Sequence, residues 1–347
     1  MSSPRILVIR RDNIGDLVCT TPLLRALRAH HPNAWIGVLA NSYNAPVLEG
    51  NPDIDQLIAY RKHKHGAVGR IELLLERLRI VRALRALKLD WVIAATPGWQ
   101  PRTIALARWM GARRLAAFVP AGARARGVTD RIALESLAGL SEVEQVMAAA
   151  PVLGLPTEPP PPARVVADPA SLARMTALLA SSRPARGLRV GVHISARKPS
   201  QRWPNERFAQ VIRQLHETQG IRPIVLWAPG DTDNPMHPGD DARAEALRGL
   251  TRDCPVLFHP TRSLRELIAA VAICDVMVLA DGGAMHVAAG LGKPIVCLFG
   301  QSDATRWRPW GVPFRLLQAP SHQVSDITVA QVIESYNGLV GSMVEHP

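Results

Sequence analysis

The chain has 347 residues, of which 47% are hydrophobic and 20% are charged; this suits a globular protein with two domains of ordinary size. No apolar run has the length of a membrane span, and the first residues lack the apolar stretch and cleavage site of a secretory signal, so we expect a cytoplasmic protein. The formal net charge of +12 indicates an anionic partner, which could be a nucleic acid, a phosphorylated glycolipid or a membrane surface. The alternative is that the arginines and lysines lie on solvent-exposed helix faces and have no partner.

Apolar strands and amphipathic helices alternate along the first half of the chain. Strands that are separated by helices of this length predict a parallel sheet with helices on both faces. In chain order the pattern predicts a strand at 5–10, a helix at 17–30, strands at 35–40 and 56–60, a helix from about 70 to 88, and a further strand from residue 90.

A proline-rich segment at 155–169 interrupts this alternation and is typical of an extended interdomain linker. The alternation then restarts, which predicts a second domain of the same class and a ligand cleft between the two. The predicted strands are 188–195, 221–230, 256–258, 276–280 and 294–299, and the predicted helices are 205–218, 241–250 and 263–273. We place the domains at 1–162 and 163–325, followed by a C-terminal helix at 326–347 that can pack back on the first domain.

The segment DGGAMHVAAGLGKPIVCLFG, residues 281–300, follows a predicted strand, opens a helix of small residues and runs into another strand. The two glycines Gly282 and Gly283 would let a diphosphate approach bare backbone N–H groups at the positive end of a helix dipole. The alternative is that the glycines form an ordinary turn and that Asp281 caps the helix. The functional interpretation predicts a nucleotide or nucleotide-sugar ligand.

At the first strand-to-helix junction, VIRRDNIGDLVCTTPLLRALR, Asp16 stands where a helix begins. It either caps that helix and complements its dipole, or it faces the cleft as a general base.

Other common site motifs are not found in the sequence. It has no G-x-G-x-x-G, Walker A, H-E-x-x-H or paired C-x-x-C motif, which argues against dinucleotide oxidoreductases, P-loop enzymes and common zinc sites. The four cysteines are scattered among apolar residues and are predicted to be reduced core residues. Two short acidic triplets, 53–55 and 231–233, have the composition of a divalent-metal site, but such triplets are common in loops.

Four segments together resemble glycosyltransferase family 9, the heptosyltransferases of lipopolysaccharide core assembly. They are IGDLVCTTPLLRALR, NPDIDQLIAY, GVHISARKPSQRWPNERFAQVI and DGGAMHVAAGLGKPIVCLFG, and they occur in the family's order over nearly the whole chain. The resemblance implies an α/β protein of the GT-B fold, with two Rossmann-like doubly wound parallel-sheet domains facing across a cleft. It also implies an inverting glycosyltransferase without a metal or other cofactor, which moves heptose from ADP-heptose to a lipid-anchored lipopolysaccharide inner-core acceptor.

Because of its position in the IGD motif, the resemblance implies that Asp16 is the general base, which takes the proton of the acceptor hydroxyl. Without a metal, the diphosphate must be neutralised by the amides of Gly282 and Gly283 and by cations of the SARKPSQRWP loop, among them Lys198 and Arg202. The family commonly has a lysine where this chain has Gln201, so either Lys198 or Arg202 substitutes for it or the donor site is weakened. We favour Arg202, with a solvent-exposed arginine as the alternative.

Further donor contacts are assigned in the second domain. We assign Ser195 of the same loop to the donor, and Asp231 to the ribose hydroxyls unless it is only a loop residue. Asp281 is expected to shape the turn by accepting backbone hydrogen bonds, because a bare carboxylate would repel a diphosphate. His286, one helical turn further on, either faces the donor or is a core histidine. Trp203 and Pro204 are predicted to pack and fix the loop.

The basic stretch 61–88 is assigned to the acceptor through Arg61, Lys62 and Lys64. Its helix has apolar residues at helical spacing, so it is either an ordinary surface helix or a cationic face that contacts the glycolipid or an anionic membrane. Nucleic acid is disfavoured, because no known binding module is present and aromatic residues make up only 5% of the chain.

Two other functions remain open from the sequence. One is a related GT-B transferase, or an epimerase of similar architecture, that uses another nucleotide sugar. The other is a non-catalytic module that binds a sugar nucleotide or glycolipid, which the retention of Asp16 argues against. The acceptor, the nucleotide base and the transferred sugar depend on pocket shape, which the sequence does not specify.

Overall fold

Two six-stranded sheets, each entirely parallel, organise the molecule. The computed structural model describes residues 3–61, 70–156, 159–180, 187–231 and 239–345. The chain divides after Arg164 into two compact units, each with one of the sheets.

The first unit alternates strands and helices as far as its fifth strand and ends in short elements. Its strands are β1 (Arg5–Ile9), β2 (Trp35–Asn41), β3 (Gln56–Tyr60), β4 (Trp91–Ala94), β5 (Arg114–Val119) and β6 (Asp130–Ala133). Its helices are α1 (Ile14–Val18), α2 (Thr21–His30), α3 (Arg70–Ala86), α4 (Pro101–Trp109) and α5 (Glu142–Met147).

The second unit opens and closes with a helix. Its strands are β7 (Val190–His193), β8 (Ile224–Trp227), β9 (Leu257–Pro260), β10 (Val276–Ala280), β11 (Ile295–Phe299) and β12 (Phe314–Gln318). Its helices are α6 (Pro169–Ala180), α7 (Asn205–Gln219), α8 (Asp241–Leu250), α9 (Leu264–Ala272), α10 (Gly283–Gly290), α11 (Ala304–Trp307) and α12 (Val329–Glu345).

The strand order is the same in both sheets. The first sheet runs β3-β2-β1-β4-β5-β6, and the second runs β12-β11-β10-β7-β8-β9. In each, the chain builds outward from a central strand, returns to the other side of that strand and builds outward again. The order therefore reverses between β1 and β4 and between β7 and β10, and the carboxyl ends of strands at such switch points are where doubly wound sheets bind ligands.

Alternate residues of the central strands pack into separate cores on the two faces of a sheet. In β10, Val276, Val278 and Ala280 join one cluster of buried side chains, while Met277 and Leu279 join another. A strand that is covered on both faces needs an unbroken apolar run, which explains why these strands were recognisable from the sequence.

Most predicted strands are confirmed, but one predicted helix is divided and several short elements were not predicted. The helix predicted at 17–30 consists of α1 and α2, because a new helix begins at Thr21 with Pro22 in its first turn. The sequence pattern did not predict the elements α4, β5, β6, α5, α6, α11 and β12. The C-terminal helix α12 belongs to the second unit and packs against β11, β12 and α7.

The part of the proline-rich segment that the structure describes is anchored by hydrogen bonds at its C-terminal end. Arg164 donates its backbone N–H to Thr21 and its side chain to Asp53 in the first unit. The next residue, Val165, donates its N–H to Gly290 in the second unit's own α10. The change from one unit to the other thus falls between two adjacent anchored residues.

None of the helices, over the residues that the structure describes, has the length and apolar composition needed to cross a membrane.

Candidate active site

A buried arginine marks the switch point of the first sheet. Arg10 directly follows β1 and is 1% exposed. Its Nη1 donates to the carbonyl of Ala95, which follows β4, over 2.6 Å. Its Nη2 donates to Oδ1 of Asp16 over 2.7 Å and to Oε1 of Glu142 over 2.6 Å. Its Nε lies 3.0 Å from Oδ2 of Asp12, within ion-pair distance but without hydrogen-bond geometry.

The charge of Arg10 is stabilised by this arrangement. Burial alone would lower the pKa of the guanidinium, but the carboxylates of Asp16, Glu142 and Asp12 outweigh it and raise the pKa above its usual range. A buried ion is tolerated when it is paired and its hydrogen bonds are satisfied. Arg10 is therefore a permanent positive charge surrounded by three acidic groups.

Asp16, the predicted general base, lies in the first turn of α1, three residues after the N-cap Asn13, and is 9% exposed. Its Oδ2 accepts hydrogen bonds of 2.9 Å from the backbone and the side-chain amide of Asn13. Burial would raise the pKa of Asp16, but Arg10 and the Asn13 hydrogen bonds together lower it below its usual value. Asp16 therefore caps its helix, as one interpretation expected, and is also an ionised group at the switch point.

Two buried asparagines fix the loop between β1 and α1. Asn41, the last residue of β2, donates to the carbonyls of Arg11 and Asp12, each over 3.0 Å. Asn44 donates to the carbonyls of Asp12 and Asn13 at 3.4 and 3.3 Å. The loop backbone that leads to Asp16 is thus held by side chains whose own rotamers are fixed by burial.

Asp12 is a second carboxylate at this switch point. Its side chain is 32% exposed, against 12% for that of Asp16. Its Oδ2 accepts a 2.9 Å hydrogen bond from the hydroxyl of Thr96, two residues after β4. Asp12 is therefore the most solvent-accessible of the three acidic groups around Arg10.

The sequence did not predict that Arg10, Asp12, Thr96 and Glu142 belong to this site. A charged residue at the end of the apolar run RILVI was the available signal for Arg10. Glu142 is separated from Arg10 by 132 positions and gave no local signal.

In the second sheet, the glycines of the DGG motif occupy the switch point. Gly282 is the N-cap of α10 and has φ 157° and ψ −172°, a backbone conformation that favours glycine. A Cβ atom added there would meet no other atom within 4 Å, so the space beside this backbone is open. The N-terminus of the eight-residue α10, which begins at Gly283, is the end where a helix dipole favours an anion.

Asp281, the residue before these glycines, is 9% exposed and is bound by a neutral amide. Its Oδ2 accepts a 2.7 Å hydrogen bond from Nε2 of Gln201, which also donates to the hydroxyl of Ser302 over 3.1 Å. The close approach of the Gln201 turn requires Gly300, where an added Cβ would lie 2.5 Å from the carbonyl oxygen of Ser200. We expected Asp281 to accept backbone hydrogen bonds; its described partner is a side chain from the loop after β7.

The loop after β7 contains the predicted donor residues Ser195, Lys198 and Arg202. The hydroxyl of Ser195 accepts a 2.9 Å hydrogen bond from the backbone of Ala228, which follows β8. Lys198 is exposed and forms no ion pair with any residue that the structure describes. In contrast, Arg202 donates its Nε to the carbonyl of Ala196 over 3.0 Å, so its guanidinium is engaged within the loop.

Trp203 fixes this loop, as predicted. It is 1% exposed, donates its indole N–H to the carbonyl of Ile327 over 2.9 Å and lies edge-to-face against Phe208. The following residue, Pro204, is the N-cap of α7.

A buried neutral histidine lies at the end of β7. Burial lowers the pKa of His193 to about 4, although the carboxylate of Asp240 opposes the shift. Asp240 is 1% exposed and lies 3.4 Å from Arg243 and 3.6 Å from Arg202. Asp240 therefore helps to hold Arg202, one of the predicted donor cations, in place.

The other predicted donor residues are not brought into one group with those above. His286 is 4% exposed and lies edge-to-face against Trp307, with ring centroids 5.9 Å apart, which fits the core interpretation. Asp231 is exposed after β8, and its carbonyl accepts a hydrogen bond from Gly239. Their contacts with a donor stay predictions.

Of the predicted acceptor residues, the structure describes Arg61, whose guanidinium pairs with Glu72 at 3.0 Å and Glu76 at 3.2 Å on α3. Lys62 and Lys64 lie outside the described residues.

The comparisons with known proteins match this architecture. The model of the family described as glycosyltransferase family 9 (heptosyltransferase) matches residues 77–331. The chain belongs to this family. It is therefore a glycosyltransferase, and its resemblance to the heptosyltransferases, inferred from the four sequence segments, is confirmed.

Among curated relatives, lipopolysaccharide heptosyltransferase 2 of Salmonella typhimurium is 27% identical, with 97% of this chain and 98% of the relative covered. Among solved structures, a family 9 glycosyltransferase from Veillonella parvula has a TM-score of 0.84 at 22% identity, covering 99% of this chain and 98% of its own. The E. coli ADP-heptose lipopolysaccharide heptosyltransferase II has a TM-score of 0.75 at 21% identity, covering 98% and 99%. These likenesses confirm the predicted GT-B fold.

Proposed function

We propose that this glycosyltransferase moves heptose from ADP-heptose to a lipopolysaccharide inner-core acceptor, with inversion at the anomeric carbon and without a metal ion. The observation that carries the proposal is an ionised, immobilised carboxylate, Asp16, at the switch point of the first sheet. The substrates are suggested by the relatives, since one is named a lipopolysaccharide heptosyltransferase and a structural neighbour an ADP-heptose heptosyltransferase.

In the proposed reaction, Asp16 accepts the proton of the acceptor hydroxyl. The acceptor oxygen forms a bond to the anomeric carbon of heptose while the bond from that carbon to the diphosphate oxygen breaks, and ADP leaves from the opposite face. Attack and departure on opposite faces invert the configuration. Because the pKa of Asp16 is low, the proton transfers late, when bond formation has made the hydroxyl acidic.

The second unit is proposed to hold the donor at the start of α10. The open backbone around Gly282 and Gly283 offers N–H groups to the diphosphate, and the carboxylate of Asp281 is hydrogen-bonded to Gln201. Of the two cations considered, the exposed Lys198 is better suited to reach a ligand, while Arg202 supports the loop. Ser195 and Asp231 are proposed for the remaining donor contacts.

Two arginines support the metal-independent mechanism by engaging one of the acidic triplets that the sequence offered as a metal site. Asp53 pairs with Arg164 at 3.0 Å and Asp55 pairs with Arg28 at 2.7 Å. Both carboxylates thus have a partner in the first unit. We expect heptose transfer to persist in the presence of EDTA, and a rate that falls to background and is restored by added Mg²⁺ or Mn²⁺ would contradict this.

The acceptor is proposed to bind the first unit near Arg61 and α3, at the inner face of the cytoplasmic membrane. Three leucines of α3 are exposed, Leu74, Leu75 and Leu78, with fractions of 56%, 47% and 39%. Apolar residues on a basic helix suit a peripheral contact with anionic lipid. Sedimentation with phosphatidylglycerol vesicles, but not with phosphatidylcholine vesicles, is expected; equal sedimentation with both, or none, would contradict the contact.

The proposed function is tested by incubating the protein with ADP-heptose and a lipopolysaccharide acceptor truncated in its inner core. We expect ADP release and an acceptor heavier by one heptosyl residue, with NMR showing the anomeric configuration opposite to that of the donor. Matched reactions with UDP-glucose and ADP-glucose control for donor choice. Transfer from one of these sugars alone would overturn the assignment of the donor, and retained configuration would overturn the mechanism.

A further inference from the structure

Glu142 is a buried carboxylate that the proposed reaction does not use directly. It begins α5, is 1% exposed and is separated from Asp16, the proposed general base, by more than a hundred residues of sequence. A carboxylate this buried is strongly destabilising unless it is paired. Glu142 pairs with Nη2 of Arg10, at 2.6 Å.

The same nitrogen of Arg10 serves both Glu142 and Asp16. Nη2 carries two N–H groups, and its two acceptors are Oε1 of Glu142 at 2.6 Å and Oδ1 of Asp16 at 2.7 Å. The other terminal nitrogen is held by the carbonyl of Ala95. The guanidinium is therefore clamped from two sides, and the N–H that it presents to Asp16 has one direction.

Glu142 also divides the charge of Arg10. A lone Arg–Asp pair would place a full positive charge against Asp16 and make it a poorer base. With Glu142 on the same nitrogen, and Asp12 beside Nε, the positive charge is shared among three carboxylates. The carboxylate of Asp16 thus keeps its position while losing less of its basicity.

We propose that Glu142 is a positioning residue that orients Asp16 and preserves its basicity by sharing Nη2 of Arg10. The kinetic part rests on the proposed function, in which Asp16 takes the acceptor proton. The structural part, a coupling between Glu142 and Asp16 through Arg10, does not depend on the substrate.

The kinetic test compares Glu142→Gln with Glu144→Gln. Glutamine keeps the size of residue 142 and an acceptor oxygen but removes the charge, so we expect kcat to fall about tenfold to a hundredfold with little change in KM for ADP-heptose. Glu144 closes the capping box of the same helix, its Oε2 accepting from the backbone of Ser141 over 2.8 Å. Glu144→Gln therefore controls for weakening of α5 and is expected to keep kcat within about twofold, because its capping contact is with the backbone of Ser141.

Glu142→Asp, which restores the charge on a shorter side chain, is expected to recover part of the lost kcat. A kcat within twofold of wild type in Glu142→Gln would overturn the proposal. So would equal losses of kcat in Glu142→Gln and Glu144→Gln, because that result indicates a general weakening of the helix.

A double-mutant cycle in urea tests the coupling without any substrate. If Glu142 and Asp16 share Nη2, either carboxylate can pair with Arg10 when the other is neutralised. The double variant Glu142→Gln with Asp16→Asn is therefore expected to lose more free energy of unfolding than the sum of the losses in the two single variants. A double variant that does not fold, while both single variants fold, is the extreme of the same result. Additive losses overturn the proposal. If the wild-type protein transfers no heptose, the proposed function fails, and the cycle still decides the role of Glu142.

Discussion

The two switch points have the same strand order but opposite electrostatics. In the first sheet, the strand β1 is followed by a buried cation, Arg10, with three carboxylates around it. In the second, β7 ends at a buried histidine, and the carboxylate of Asp281 is bound by the neutral amide of Gln201. The same strand order thus provides two different electrostatic environments.

In the proposed reaction, this difference corresponds to the two halves of a sugar transfer. A base needs a carboxylate that stays ionised and fixed in direction, which the Arg10 cluster supplies. A diphosphate needs N–H donors, and we propose that the open backbone at Gly282 supplies them while the carboxylate of Asp281 is hydrogen-bonded to Gln201.

Removing the cation of the first switch point is expected to have the largest effect on stability. Arg10→Met removes the cation that pairs with the buried carboxylates of Asp16 and Glu142, which we expect to lower the free energy of unfolding by about 3–5 kcal/mol in urea denaturation. Arg113→Met is the matched control, because Arg113 is 84% exposed and pairs with Asp90 at 3.6 Å; its expected cost is below about 1 kcal/mol. Equal losses in both variants would refute the contrast between buried and exposed pairs.

The second switch point is expected to make stability depend on pH. His193 has a pKa of about 4 in the folded chain, below the value of about 6.5 in the unfolded chain, so the unfolded state binds the proton more readily. Its contribution to stability is complete above pH 6.5 and is lost as the pH falls towards 4, in total about 3 kcal/mol. His193→Asn should flatten this part of the stability curve, and His322→Asn, an exposed control, should not. Parallel curves for wild type and His193→Asn would contradict the assignment.

The conformation of Gly282 separates donor binding from general stability. An alanine at φ 157° is strained, so Gly282→Ala is expected to cost about 1–3 kcal/mol of stability and to weaken ADP binding about tenfold in calorimetry. Gly292, just after α10, has φ 73° and equally open surroundings. Gly292→Ala should therefore lose stability but keep ADP affinity. An unchanged affinity in Gly282→Ala would remove this backbone from the donor site.

The smallest effect on ADP affinity is expected at Gln201. Gln201→Met keeps the length of the side chain but leaves Asp281 without its described hydrogen bond, at an expected cost of about 1–3 kcal/mol in urea denaturation. Gln201→Lys, in contrast, pairs Asp281 with an ammonium and is expected to keep or raise ADP affinity by a few-fold. If Gln201→Met binds ADP as well as wild type and is equally stable, Asp281 does not need this amide.

The fold was predictable where the signal is local. The strands β1, β2, β10 and β11 are apolar runs bounded by turn residues, and each was predicted within one residue of its observed ends. The short elements β6 and α5 have four and six residues, too few to show a period.

The site was predictable only in part, for the same physical reason. Asp16 and the DGG motif lie at the ends of apolar strands, where the sequence directs attention. The partners that fix them come from distant segments, since 132 positions separate Arg10 from Glu142 and 80 separate Gln201 from Asp281. Such pairings depend on the packing of the whole sheet, which no local pattern records.

The central claim is that the first unit supplies the base and the second unit holds the donor, so the most direct test measures both properties in Asp16→Asn. We predict that heptose transfer falls by about a thousandfold while the Kd for ADP-heptose stays within about twofold of wild type. Asp12→Asn, which alters the more exposed carboxylate on the same arginine, should retain transfer within about tenfold. Transfer that persists in Asp16→Asn, or that is abolished in Asp12→Asn instead, would contradict the account.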